Sequence, residues 1–92
     1  MRFRLTESTS VEDFAALNER FQTEFMYQQT GLRRRTVAQD LNGQWLVLTI
    51  WTSKADVHHA EHEAAQSPVA QQFAACIEPS STSLEYFKER SG

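Results

Sequence analysis

Histidine, arginine and aromatic side chains carry the chemistry in this sequence. His58, His59 and His62 crowd one stretch, and His58 and His62, four residues apart, would share a helix face from which they could chelate a metal. With Glu61 they spell His-x-x-Glu-His, the inverted order of a zinc-peptidase motif. The run Arg33-Arg34-Arg35 lies in a segment with no helical stripe. In a strand, alternation sends Arg34 to the face opposite Arg33 and Arg35, so at least one guanidinium points toward a buried or dimer-facing surface. A charge there needs a partner, either a substrate anion or a carboxylate such as Glu85 across the sheet or dimer.

Each group also has an ordinary structural use. If Val57, Ala60 and Ala64 form the inward face of their helix, His58 and His62 lie about 100° or more around it, toward solvent. Only residues 63–92 remain to supply a third ligand, so no metal site is expected, and a catalytic base is the better use for His62 or His58. Phe14, Phe21, Phe25, Tyr27 and Phe73 fall at helical spacings that build a core first and wall a pocket only where a cavity remains. Cys76 reads as a buried structural thiol near a helix end.

The elements that must position these groups follow from periodicity. Phe3 and Leu5 alternate with Arg2, Arg4 and Thr6 as in a half-buried strand. Ser10 and Asp13 have the spacing of a capping box, and Val11, Phe14, Leu17, Phe21 and Phe25 lay an apolar stripe along a helix that should close near Thr30-Gly31. Leu32–Asp40 and Gln44–Thr52 read as a hairpin about the Asn42-Gly43 turn. In its second strand Trp45, Val47, Thr49 and Trp51 share one face and Leu46, Leu48 and Ile50 the other, so both faces must be covered. Ser53 with Asp56 caps a second helix. Ser67-Pro68 restarts a short one with Val69, Phe73 and Ile77 inward, and Thr82–Phe87 alternates as a last strand.

The order strand, helix, strand, strand, helix, strand is that of an α+β, ferredoxin-like βαββαβ fold with a four-stranded antiparallel sheet and helices on one face. The uncovered face, bearing Leu46, Leu48 and Ile50, predicts a two-fold homodimer that shields it with a second copy. The 92 residues form a single domain, core 2–88 and polar tail 89–92, too short for a second one. Nine basic against twelve acidic side chains argue against nucleic acid as partner. The apolar run Trp45–Ile50 is too short to cross a membrane, and a lone cysteine with no secretory h-region places the chain in the cytoplasm.

Gly43–Ser53, an alanine-bearing helix after it, and Ser67-Pro68-Val69-Ala70-Gln71-Gln72-Phe73 together resemble the antibiotic biosynthesis monooxygenase-like (ABM) family of dimeric α+β barrel proteins. That resemblance implies a pocket between sheet and helices in which a small phenolic, quinol or polyketide-like molecule reacts with oxygen without a bound cofactor. It needs a base, a dry cavity and donors for an anion, for which the indole N–H groups of Trp45 and Trp51, the hydroxyl of Tyr86 and the guanidinium of Arg34 or Arg35 are the candidates. Under it, Trp51, His62 and Arg34 are the candidate catalytic residues, and Phe21, Phe25, Trp51, Phe73 and Tyr86 the candidate contacts to a small aromatic molecule. Haem-degrading relatives use a histidine on the second helix after a Ser-Pro-like break, where this chain reads Val69–Cys76 without one. The competing expectation is a non-catalytic dimer of the same fold that binds a small molecule or serves as a scaffold.

Overall fold

Serine hydroxyls placed just ahead of apolar stripes start the helices. In the computed structural model, which describes residues 1–90, Ser10 Oγ accepts from the Asp13 N–H at 3.0 Å and opens α1 (Val11–Glu24). Ser53 Oγ does the same for Asp56 at 3.2 Å, opening α2 (Lys54–Ala64), and Ser67 Oγ for Ala70 at 3.3 Å, opening α3 (Pro68–Ala75). Each cap satisfies an N–H that the helix itself leaves unpaired, a contribution of about 1 kcal/mol. Pro68 occupies the first turn of α3, where its missing N–H costs nothing.

The first helix ends earlier than its stripe suggests, at Glu24 rather than near Gly31. Phe25 and Met26 are both buried, and the chain tightens there into a 3-10 turn over Met26–Gln28. Gly31, at φ +85°, then swings the chain into β2 (Leu32–Gln39). Asp40 closes the hairpin: its Oδ1 accepts from the N–H groups of Asn42 and Gln44 at 2.9 Å each, and Gly43 takes φ +81°. The return strand is β3 (Trp45–Trp51).

Register fixes what each face carries. Residues Arg34 through Gln39 stand opposite Ile50 through Trp45, with an irregularity between Leu32 and Arg34. β1 (Arg2–Phe3) pairs with the other edge of β3, Phe3 opposite Trp45, giving a three-stranded antiparallel sheet of order β1-β3-β2. Phe3, Trp45, Val47, Arg35 and Val37 thus share the face toward the helices. There Phe3 and Phe14, at 0% and 1% exposure, form the centre of the core with Phe73, and Trp45 leans on Phe14 with ring centroids 4.8 Å apart.

Two expected strands are reduced. The first spans two residues instead of five, because from Arg4 onward the chain leaves β3 and bonds the residues after α3: Glu78 N–H donates to the Arg4 carbonyl at 2.8 Å and Thr6 N–H to that of Cys76 at 2.9 Å. Residues 82–87 form no strand. They meet the free edge of β1 at a single bridge, Arg2 with Ser83, so the sheet among the described residues has three strands rather than four. The face away from the helices carries Leu46, Leu48 and Ile50, of which Leu48 is 51% exposed. Among the described residues no helix is long and apolar enough to cross a membrane.

Candidate functional site

Small side chains on α2 and α3 face large ones on α1 and the sheet, and the mismatch leaves an open cavity of about 360 Å³. Phe21 and Phe25 come from α1 and its end, Trp51 from the last position of β3, Ala60 and Ala64 from α2, and Ala70 and Phe73 from α3. Leu84 and Tyr86 of the C-terminal segment reach its rim. The five residues expected to contact a small aromatic molecule, Phe21, Phe25, Trp51, Phe73 and Tyr86, therefore line one cavity. Its walls are flat as well as apolar: Phe21 stacks on Phe73 at 4.4 Å and on Phe25 at 5.5 Å.

The one guanidinium in this cavity's lining belongs to Arg35, not Arg34. Arg34 stands opposite Ile50 and is exposed on the far face of the sheet, which removes it from the pocket. Arg35, opposite Thr49, faces the helices and lies over the rings of Phe21 and Phe73, its Cζ 5.2 and 5.5 Å from their centroids. Nη1 donates to Gln22 Oε1 at 3.1 Å. Nη2 is sealed from solvent with no hydrogen-bond acceptor, and Oδ1 of Asn18, one turn before Gln22 on α1, is sealed with no donor. None of the ion pairs among the described residues includes Arg35, so it makes no pairing with Glu85 within the chain. Burial lowers the Arg35 pKa, Tyr27 pulling weakly the other way, yet a guanidinium stays cationic at any physiological pH.

At the rim, Glu61 Oε2 accepts from the Tyr86 hydroxyl at 2.7 Å, and its Oε1 lies 3.2 Å from His58 Nδ1. The Glu61 hydrogen bond, with smaller help from burial and from the carboxylate's charge, raises the Tyr86 pKa above the ordinary phenol range. Sequence reasoning did not single out this Glu61 to Tyr86 bond, which joins residues 25 apart. His62 is exposed on α2 and does not line the cavity. His58 and His59 meet Glu61 and Glu63 on the solvent side of the helix, and among the described residues no three metal-ligating side chains gather. Trp45, Thr6 and Thr9 line a separate, more polar cleft of about 340 Å³ beside the hairpin loop.

The cavity can therefore hold a small flat apolar body, with a cation at one wall and a carboxylate–phenol pair at the rim. Comparison with known families, curated proteins and solved structures finds no match to this chain.

Proposed function

We propose that this chain is a cytoplasmic, ABM-like homodimer that binds a small phenolic, quinol or polyketide-like molecule between sheet and helices and oxidises it with molecular oxygen, without a bound cofactor. The observation that carries the reading is the aromatic cavity with Arg35 in its wall. In such a reaction the substrate loses a proton to form a delocalised anion, which passes an electron to oxygen. At a ring CH₂, one oxygen atom ends as a carbonyl and the other leaves as water with both hydrogens. Arg35 would hold the anion, the stacked phenylalanines the ring, and Trp51 would supply an indole N–H; Arg34 and His62, outside the cavity, have no part in this version.

The dimer is supported by the exposed Leu48 between half-buried Leu46 and Ile50. Two such faces stacked together would form the barrel, and the Arg2–Ser83 bridge marks where residues 82–87 would complete a fourth strand in the ferredoxin-like order. Oxygen uptake by the purified chain with a panel of quinols and anthrone-like phenols tests the reaction. Uptake above the buffer rate is expected, and its absence across the panel ends the enzymatic reading. The second reading, a binding module without turnover, draws on the side chains lining the cavity: among the described residues no histidine reaches it, and Glu61 is engaged by Tyr86 and His58. Binding of the same phenols without uptake selects it.

A further inference from the structure

We propose that the molecule this cavity takes carries a carboxylate on a flat apolar body, and that Arg35 is the residue that selects it. The inference rests on the small-molecule pocket proposed above and adds the charge and group of its ligand.

Three features of Arg35 carry it. The hairpin register aims this side chain at the helices, and the only faces it meets there are those of Phe21 and Phe73. A half-buried guanidinium cannot discharge to relieve its own desolvation, so it needs an anion, and no side chain of the described chain provides one. Finally, Nη2 lacks even a neutral acceptor. A water at Nη2 would satisfy the N–H, but it would leave the charge uncompensated.

Shape and ionisation narrow the ligand. The cavity falls in the range of small-molecule sites, roughly 300–1,000 Å³, and its stacked phenyl walls and Trp51 favour a planar ring system. A phenol, with a pKa of about 10, reaches neutral pH uncharged and must be ionised inside the cavity. A carboxylate, at about 4, arrives as the anion and offers two oxygens to the guanidinium edge. Arg35 lines this cavity; to present Nη2 to a carboxylate, its guanidinium would have to turn about its last side-chain bonds and give up the Gln22 bond. Glu61 does not compete for it, since both its oxygens are taken at the rim.

The test compares 2-naphthoate with its neutral counterpart 2-naphthamide, titrated into the full chain at neutral pH and followed calorimetrically. A charge-assisted hydrogen bond makes the expected preference at least about tenfold for the carboxylate. In Arg35→Gln that preference falls to about unity while 2-naphthamide binds within about threefold of wild type; Arg35→Lys, which keeps the charge without the fork, retains part of it. Near-UV circular dichroism establishes that both variants are folded, and if Arg35→Gln is not, loss of naphthoate preference in Arg35→Lys relative to wild type decides. Equal binding of the two ligands, or a preference that survives Arg35→Gln, overturns the assignment while leaving the pocket standing. Failure of both ligands to bind removes the pocket, and the assignment with it.

Discussion

Replacing Arg35 with methionine should stabilise the free protein. The substitution removes a half-buried charge whose desolvation costs at most about 3 kcal/mol after relaxation, including an N–H with no acceptor. It also removes real attractions: the contact with the Phe21 and Phe73 rings, worth about 1 kcal/mol, and the 3.1 Å bond to Gln22, worth about another 1 kcal/mol. Gln22 is half-buried and can turn its amide to water, so its loss is not compounded. Methionine keeps the apolar contact with both rings and adds a sulfur–aromatic one. The balance favours Arg35→Met by up to about 1 kcal/mol, which for a domain of this size raises Tm by up to about 4–8 °C. Thermal unfolding at one fixed protein concentration reads it, since dimerisation would make Tm concentration-dependent. A Tm lowered by a similar amount would mean that the free chain already compensates this cation, and the case for a bound carboxylate would lose its premise. Gain of stability with loss of binding is the pattern expected of a site residue held at a cost.

Other consequences follow from the same geometry. Phe14→Ala, at the fully buried centre of the core, should cost about 3–5 kcal/mol in denaturant unfolding and leave little of a small domain's stability. Gly31→Ala places a side chain at φ +85° and its Cβ against the Asp56 carboxylate, so it should destabilise by more than about 1 kcal/mol, with the second helix cap disturbed as well. Tyr86, its pKa raised chiefly by Glu61, should titrate lower in Glu61→Gln when followed by phenolate absorbance. A raised folded-state value means the bond contributes below the unfolded pKa of about 10 and is lost as pH rises through the folded one, so the C-terminal segment should loosen only in strong alkali. Leu48→Lys should convert the proposed dimer to a monomer in light scattering without unfolding it, because Leu48 is already half in water in a single chain.

Local signals carried much of the fold. Ser10, Ser53 and Ser67 each cap the helix that their spacing to Asp13, Asp56 and Pro68 announces, and Phe14, Phe21, Val69 and Phe73 point inward as the 3.6-residue period requires. What alternation alone does not settle is which of Arg34 and Arg35 points toward the helices, because it sends the two to opposite faces without fixing the register of their strand against the next. The hairpin resolves it: with the turn centred on Asn42, Arg35 falls opposite Thr49 and on the side of Trp45, which pairs with the fully buried Phe3. The fourth strand looked complete because Leu84 and Tyr86 alternate with polar residues, but a period of two does not supply a pairing partner, and β1 offers only the Arg2 position. The Glu61–Tyr86 bond joins an exposed helix position to an irregular segment, and no local pattern encodes that kind of contact.

The account turns on whether the cavity between sheet and helices is where a ligand sits, and the two tryptophans make that directly measurable. Trp51 lines this cavity, whereas Trp45 lies in the core against Phe14 and borders the other cleft. In an ¹⁵N-labelled sample titrated with 2-naphthoate, the indole N–H resonance of Trp51 should shift progressively to saturation while that of Trp45 stays in place. A shift confined to Trp45, or no shift of either at millimolar ligand, would contradict the account.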